Sequence, residues 1–299
     1  MTAGGDGVHT MRRLRDSLGR ELHYLRLSVT DRCDLRCLYC LPHGCPKASA
    51  HPPLSPAEIG RLVRAFAGLG FWKVRLTGGE PMLRPDIVKV VERVAATPGI
   101  RRVGLTTNGL RLARLASDLR EAGLASLNVS LDSLDPERFR AITGSSRLGS
   151  VVAGIDAALA AGIPSVKVNV VLLRGMDDRE LERFLDWTRD EPVTVRFIEL
   201  METGENGALF RRARLPAAEV REKLERLGWT RLPRDAGDGP ATNYGRPGHA
   251  GRAGLISAYA AGFCDSCNRL RVSSAAELRV CLYGGEKVPL RPLLRDDEG

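Results

Sequence analysis

The sequence predicts an α/β fold built on a mostly parallel sheet. Short β-branched runs alternate with amphipathic helical stretches as far as residue 227. The predicted strands lie roughly 25–40 residues apart, which leaves room for a crossover helix between neighbours. Six such β-α units fit either an open doubly wound sheet or an incomplete (β/α)6 barrel.

The strands are predicted from runs of branched and apolar residues, and the helices from apolar residues at helical spacing. The predicted strands are 24–29, 73–76, 103–106, 127–130, 166–171 and 193–198. The first helix has the clearest start, because Ser55 can cap it, Pro56 suits its first turn and Glu58 completes a capping box. Gly70 is its natural stop. Further helices are predicted from about residue 85 and over 112–122, 151–161, 180–189 and 217–227.

The pattern changes near residue 235. Residues 234–254 are rich in Gly, Pro, Asp and Asn and predict a loop. Short strand-like runs follow from residue 255 onward. We therefore predict two domains, a six-unit α/β domain over 1–235 and a small β-rich domain over 236–299.

Composition is that of a globular protein, with 43% hydrophobic and 27% charged residues. No apolar run approaches the ~20 residues of a membrane span, and the N-terminus lacks the apolar core of a secretory signal. We expect a cytoplasmic protein. The net charge of +9 has two explanations, an arginine-rich coding bias or an acidic ligand.

Six of the seven cysteines form two triplets more than 200 residues apart. The odd total of seven and the expected cytosolic context argue against a disulfide framework. The clustering into two separate triplets suggests two metal sites. The first triplet, Cys33-x3-Cys37-x2-Cys40, follows the first strand. Three thiolates can ligate three irons of a four-iron cluster and leave the fourth iron open to a ligand. The alternative is a zinc knuckle formed by these three cysteines and His43. Cys45 lies outside the triplet's spacing, and we interpret it as a spare thiol.

The second triplet is Cys264-x2-Cys267-x13-Cys281. It again predicts a cluster with an available iron; a zinc site would need a fourth ligand. Arg269 and Arg271 share one face of an extended segment and suit a polyphosphate. The alternative is a solvated strand edge.

Basic residues recur within the predicted strands. A parallel strand is usually apolar on both faces, and a buried unpaired charge is costly. The sequence therefore predicts an anion inside the sheet, unless each cation pairs with its own carboxylate, for which Glu199 is the main candidate. These strand cations are Arg26, Lys73, Arg75, Lys167 and Arg196.

Polar motifs follow two further strands. In Thr77-Gly-Gly-Glu-Pro81 the glycines would let a ligand approach the backbone, and Glu80 could receive an ammonium group. Asn128-Val-Ser-Leu-Asp132 places polar residues on the same rim.

Taken together, these motifs resemble the radical S-adenosylmethionine superfamily and, within it, the GTP 3′,8-cyclases of molybdenum cofactor biosynthesis. The resemblance runs from about Leu18 to Arg295. It rests on LGRELHYLRLSVTDRCDLRCLYCLP, KVRLTGGEP, GLTTNGL, LNVSLDSLD, VKVNVVLLRG, VRFIELM and FCDSCNRLRVSSAAELRVCLY, in this order.

The resemblance implies an incomplete (β/α)6 TIM-like barrel with a small C-terminal auxiliary-cluster domain. It also implies two [4Fe-4S] clusters and S-adenosylmethionine as cofactors. In this family, cleavage of S-adenosylmethionine gives a radical that removes the 3′ hydrogen of GTP, and C3′ then bonds to guanine C8 to give 3′,8-cyclo-7,8-dihydro-GTP.

The resemblance assigns a role to each matching position. The first cluster is held by Cys33, Cys37 and Cys40, and the second by Cys264, Cys267 and Cys281. S-adenosylmethionine contacts Tyr39, Gly79, Ser130 and Met201. GTP contacts Arg26, Arg75, Thr106, Lys167, Arg269, Leu270 and Arg271, with Lys73 and Arg196 added.

Further expectations concern partners and alternatives. The resemblance implies an electron donor, a downstream cyclic pyranopterin synthase and, as one possible assembly, a homodimer; no membrane or nucleic acid is expected. The family continues past its third C-terminal cysteine to a Gly-Gly tail, whereas Gly284-Gly285 here predicts a turn. We therefore expect a fragment or a paralogue lacking that tail. The alternatives are a radical S-adenosylmethionine enzyme acting on a peptide or another nucleotide, and a zinc-stapled nucleic-acid-binding module.

Overall fold

The computed structural model describes residues 14–40, 52–203, 206–234, 239–282 and 284–294. Its strands are β1 Tyr24–Ser28, β2 Lys73–Thr77, β3 Arg102–Thr107, β4 Leu124–Ser130, β5 Val166–Leu172, β6 Thr194–Glu199, β7 Thr230–Arg231, β8 Thr242–Gly245, β9 Arg252–Ile256, β10 Arg269–Val272, β11 Glu277–Arg279 and β12 Val288–Pro289. Its α-helices are α1 Pro56–Gly68, α2 Ile87–Ala95, α3 Leu112–Glu121, α4 Pro136–Thr143, α5 Leu148–Ala160, α6 Asp178–Asp190, α7 Gly207–Ala213 and α8 Ala217–Arg226. Short 3-10 helices cover Pro81–Leu83 and Arg291–Leu294.

The six parallel strands lie side by side in chain order, from β1 to β6. A doubly wound sheet would reverse its order at a switch point. With right-handed crossovers and no reversal, every crossover helix packs on the same face, which is the winding of a (β/α) barrel. β1 and β6 are not neighbours in the sheet, so the barrel is incomplete and the predicted fold is confirmed.

The C-terminal segment extends both edges of this sheet. β9 pairs with β6 and β10 pairs with β1, both in parallel register. β8 and β7 continue beyond β9, and β11 and β12 continue beyond β10, which gives one twelve-stranded sheet. The division into two domains at residue 235 stays a prediction, because the strands after that position pair directly with the barrel.

The two faces of the barrel strands differ in chemistry. Outward-facing residues such as Leu25, Leu27, Val74 and Val168 are fully buried against the helices. Most inward-facing residues towards the amino ends of the strands are polar: Arg26 lies opposite Arg75, and Asn128 lies opposite Lys167. The hydrophobic core is therefore the layer between sheet and helices, and the barrel interior is a polar chamber.

The first helix forms as predicted. Ser55 accepts a hydrogen bond from the backbone N–H of Glu58, and the Glu58 carboxylate accepts one from the backbone N–H of Ser55. α4 and α7 were not predicted. Residues 234–254 were predicted as a loop but contain β8 and the start of β9, because antiparallel pairing with β9 makes β8 a strand. The described helices are all too short or too polar to cross a membrane.

Candidate active site

The two cysteine triplets lie at opposite ends of the barrel. Cys33, Cys37 and Cys40 follow the carboxyl end of β1, at what we call the carboxyl rim. Cys264 and Cys267 precede the start of β10, which runs parallel to β1, and so lie at the opposite end, the amino rim. Cys281 follows β11, which runs antiparallel to β10 and therefore returns to the amino rim. The polar chamber lies between them.

The first cysteine loop is fixed to α4. The backbone N–H groups of Arg36 and Leu38 donate to the carbonyls of Thr143 and Ile142, at 2.9 and 3.0 Å. Burial, with further contributions from nearby acidic groups and the Cys40 thiol, raises the pKa of Cys33 to about 11. Burial likewise raises the pKa of Cys37. Thiols in such a site need a cation to ionise, which is what iron would supply.

The glycines of the Thr77–Pro81 motif have a structural role that differs from the predicted one. A β-carbon on Gly78 would collide with the carbonyl oxygen of Thr30, and one on Gly79 with that of Arg32. The Gly79 N–H donates to Thr30 at 2.8 Å. The group that approaches these glycines closely is therefore the chain's own backbone, at the start of the cysteine loop.

Glu80 has a structural role besides the ammonium contact expected of it, which stays a prediction. Its side chain is 1% exposed and its carboxylate is already occupied. It accepts hydrogen bonds from the backbone N–H of Met82 and of Asn108 and from the hydroxyl of Thr107, at 2.6–2.9 Å. Burial is the larger effect and raises the pKa of Glu80 to about 7. Glu80 ties the loop after β2 to the loop after β3.

A cavity of about 550 Å³ opens beside the first cysteine triplet. Tyr39, Cys40 and Met201 line it, together with the ends of β5 and β6. This size is within the range of small-molecule sites. Of the four residues predicted to contact S-adenosylmethionine, Tyr39 and Met201 thus share one cavity, Ser130 ends β4 on the same rim, and Gly79 packs below the cysteine loop.

Two buried side chains that the sequence analysis did not assign position Tyr39. The Asp132 carboxylate accepts from the Tyr39 hydroxyl at 2.7 Å and from the Val171 N–H at 2.9 Å. The Asn206 amide donates to the carbonyls of Tyr39 and Met201 at 3.2 and 3.0 Å. These contacts join the cysteine loop to β5 and to the segment after β6.

The predicted strand cations line the chamber. Their positions follow from strand register, because residues at matching positions of paired parallel strands point to the same face. Arg102 on β3 joins them; the sequence analysis missed it because β3 was predicted to begin one residue later. No Asp or Glu occupies an inward position on the described barrel strands β1–β6, β9 and β10. The inward cations that are at least partly buried are Arg26, Lys73, Arg75, Arg102, Lys167, Arg196, Arg269 and Arg271. Arg252 also holds an inward position by register, but it is exposed at the start of β9.

Arg75 is held most firmly. It is 6% exposed, and its guanidinium donates to the Tyr24 hydroxyl, the Leu105 carbonyl and the Ser126 hydroxyl at 2.8–2.9 Å. A β-carbon on Gly104 would lie 2.7 Å from the Arg75 Nη2 atom. The Arg75 side chain therefore links β2 to β1, β3 and β4, and it fits against β3 because Gly104 has no side chain there.

Burial and mutual repulsion make it harder for the cations of the chamber to stay protonated. Burial, followed by repulsion from Arg196, lowers the pKa of Lys167 to about 7. Burial and the nearby arginines lower the pKa of Arg26 to about 10. Among the described residues, Thr106 Oγ1, Asn128 Oδ1 and Asn169 Oδ1 are buried without a hydrogen-bond partner. An anionic ligand would satisfy the cations, and hydrogen-bond donors on the same ligand would satisfy the two amide oxygens.

Leu270 and Glu199 were named in the sequence analysis, the first as a GTP contact and the second in the alternative that each strand cation has its own carboxylate. Leu270 is 3% exposed, and its side chain joins the hydrophobic core with Leu25, so only its backbone is available to a ligand. Glu199 does not neutralise the strand cations, because its carboxylate accepts from Arg214 after α7, at 3.0 Å from Nε. The chamber therefore keeps its positive charge.

The second triplet is anchored by cations. The Arg20 guanidinium donates to the Cys264 carbonyl at 2.7 Å. Burial would raise the pKa of Cys267, but the charge and hydrogen bonds of Arg269 lower it. Cys264 and Cys281 are exposed at the amino rim. Among the described residues, no group of three His, Cys, Asp or Glu side chains could hold a single metal ion. Cys45 and His43 lie outside the described residues.

Comparison with known proteins identifies two sequence families. The radical SAM superfamily matches residues 27–188, and the family described as Molybdenum Cofactor Synthesis C matches residues 193–299. The chain is 51% identical over 288 residues to a GTP 3′,8-cyclase of Stenotrophomonas maltophilia, covering 96% of this chain and 88% of that protein. It is 50% identical to the GTP 3′,8-cyclase of Aeromonas hydrophila, covering 95% of this chain and 84% of that protein.

Solved structures show the same fold at low sequence identity. The structure of Streptococcus suis SuiB bound to S-adenosylmethionine superimposes with a TM-score of 0.68 at 14% identity, covering 93% of this chain and 65% of that one. SuiB bound to its precursor peptide SuiA gives a TM-score of 0.66 at 14% identity. At this identity the match supports the fold alone.

Proposed function

The chain belongs to the radical SAM superfamily and, within it, to the family of GTP 3′,8-cyclases, and from this membership we propose that it cyclises GTP to 3′,8-cyclo-7,8-dihydro-GTP. This is the first step of molybdenum cofactor biosynthesis. The observation that carries the proposal is the polar chamber, where eight buried or partly buried cations point inward between two cysteine triplets and no carboxylate holds an inward position on the described barrel strands.

The cofactors are [4Fe-4S] clusters and S-adenosylmethionine, and the residues present fit them. Cys33, Cys37 and Cys40 would hold one cluster next to the 550 Å³ cavity, where Tyr39 and Met201 would contact S-adenosylmethionine. Cys264, Cys267 and Cys281 would hold the other at the amino rim. When bound, these groups supply the reductive radical chemistry.

The residues of the chamber bind and orient GTP. The inward arginines and lysines attract a triphosphate and hold it by charge-assisted hydrogen bonds. Arg75 is fixed in place before the ligand arrives, so it loses little conformational freedom on binding. The buried layer on the outer face of the sheet holds in place the strands that carry these cations.

Anaerobic turnover tests this function. Reconstituted protein should hold about eight iron atoms per chain, as expected for two four-iron clusters. With S-adenosylmethionine, a reductant and GTP it should release 5′-deoxyadenosine and the cyclised nucleotide. The Cys33→Ala variant should release neither, because the first cluster would lose a ligand. Release of 5′-deoxyadenosine by that variant would overturn the assignment of the first triplet.

The same assay separates GTP from a peptide substrate. GTP should support cleavage of S-adenosylmethionine, and peptides should not. The shared family along both parts of the chain favours GTP, whereas the likeness to SuiB is a likeness of fold. Cleavage that depends on a peptide and ignores GTP would overturn the proposal.

The proposal extends to partners and compartment. The reaction needs an external electron donor, and its product passes to a cyclic pyranopterin synthase. We place the enzyme in the cytoplasm, where thiols stay reduced, and propose a homodimer as its assembly.

A further inference from the structure

Tyr24 lies in the wall of the chamber and carries a weakly acidic phenol that the proposed function does not use. It opens β1, is 7% exposed and lies opposite Lys73 on β2 and Arg269 on β10. Its hydroxyl accepts a hydrogen bond from Arg75 Nε at 2.9 Å. The Lys73 ammonium lies 4.7 Å from the centre of its ring.

The surroundings of Tyr24 are cationic on every side. Charged groups face it from its own strand and from the strands packed on both sides of it. These groups are Arg26 on β1, Lys73 and Arg75 on β2, Arg102 on β3, and Arg269 and Arg271 on β10. No carboxylate occupies an inward position on these described strands, so the phenol is the one side chain there that can supply a negative charge.

The balance of charge on Tyr24 changes when an anion binds. Burial would raise the pKa of Tyr24, but Arg75, Arg26 and Lys73 lower it to about 7. A triphosphate bound against this wall would compete with the Tyr24 phenolate for these cations, and its negative charge would repel the phenolate. A protonated phenol can still accept from Arg75 and can donate its own hydrogen to a phosphate oxygen.

We propose that Tyr24 is a positioning residue for GTP: its hydroxyl orients Arg75, and it must carry its proton for the triphosphate to bind. This inference rests on the proposed function. It makes nucleotide affinity depend on pH through one named side chain.

The test compares GTP affinity of the wild type and the Tyr24→Phe variant, as reconstituted holoenzymes, across pH. At about pH 6 Tyr24 is protonated, and the variant lacks only the hydrogen-bond partner of Arg75. A lost hydrogen bond to a charged group should weaken GTP binding about tenfold. Above neutral pH, GTP binding to the wild type also requires Tyr24 to take up a proton. The wild-type affinity should therefore fall by up to about tenfold per pH unit, whereas that of the variant should not.

The dissociation constant of Tyr24→Phe for GTP, divided by that of the wild type, should therefore fall from about ten near pH 6 to one or below near pH 9. Ionisation of Lys167 and of the triphosphate cancels in this ratio, because both proteins share it. Tyr244→Phe is the matched control, since Tyr244 is buried on β8, away from the barrel cations, and its ratio should stay near one. A ratio near one at pH 6, or one that stays constant with pH, would overturn the proposal.

A second measurement applies if Tyr24→Phe loses its clusters. Adding GTP to the wild type near pH 8 should remove a tyrosinate band from the ultraviolet difference spectrum, because binding returns the proton. An unchanged tyrosinate signal on saturation with GTP would overturn the proposal. Failure of the wild type to bind GTP at all would instead overturn the proposed function.

Discussion

Replacing Gly104 by alanine tests the cradle that holds Arg75. The new β-carbon would lie 2.7 Å from both Arg75 Nη2 and Ser126 Oγ, and 2.8 Å from Arg75 Cζ. These distances are too short for non-bonded atoms. The guanidinium cannot give way easily, because it is buried and bonded on three sides. We therefore expect Arg75 to leave its place in the chamber wall.

The size of the effect follows from the hydrogen bonds that Arg75 makes. Displacement breaks those to Leu105 and Ser126 and spoils the orientation that a phosphate would meet. Loss of one well-oriented hydrogen bond from this charged donor to a phosphate, about 1.5–3 kcal/mol, corresponds to a loss of about 10- to 100-fold in GTP affinity. S-adenosylmethionine binding should change little, since the cavity proposed for it lies at the carboxyl rim.

Gly254→Ala provides the matched control. Gly254 also faces the chamber, opposite Arg196, but a β-carbon there would meet its nearest neighbours at 3.5 Å or more, an ordinary contact. Calorimetric titration of the reconstituted proteins with GTP, together with iron analysis, measures both variants. Wild-type affinity in Gly104→Ala, with iron content intact, would refute the assigned role of Arg75. Equal losses in the two variants would refute the steric argument.

Three further predictions concern the chamber and its supports. Arg269→Ala combined with Arg271→Ala should weaken GTP binding in a dialysis assay while leaving the iron content unchanged, and loss of iron would show that these arginines are structural. Lys167→Met should raise the denaturation midpoint of the cluster-free chain most below pH 7. The gain should shrink as pH rises, because the native Lys167 sheds its proton near pH 7 and the unfolded one only near 10.5; a gain independent of pH would contradict this. Glu80→Gln should lower the free energy of unfolding by about 1–3 kcal/mol in urea titrations, because an amide NH2 would face N–H donors; wild-type stability would show that the carboxylate is dispensable.

Local signals in the sequence predicted the elements whose ends are marked by side chains. The Ser55 cap and the Gly70 stop bound α1 closely. α4 carried a similar signal that was overlooked: Asp135 caps its start, Pro136 opens it, and Gly144 ends it in the left-handed conformation. α7 has no side-chain cap, so little in the sequence marks where it begins.

Long-range pairing explains what the sequence could not predict. β8 is a strand because of β9, and β10 covers the open edge of β1. The strand cations were found because charge in a buried strand is unusual, and that signal is local. The roles of Glu80 and Tyr24 were not found, since each depends on donors from other strands. The ligand contacts of the site residues remain predictions.

The pairing of β1 with β10 has a consequence for synthesis of the protein. At about 5–20 residues per second, roughly 12–50 seconds separate the two strands at the ribosome. Throughout that interval the first strand presents an uncovered edge, which is a template for wrong partners. Nascent chains should therefore depend on chaperones until their last segment emerges, and iron delivery to the amino-rim cysteines must wait at least as long.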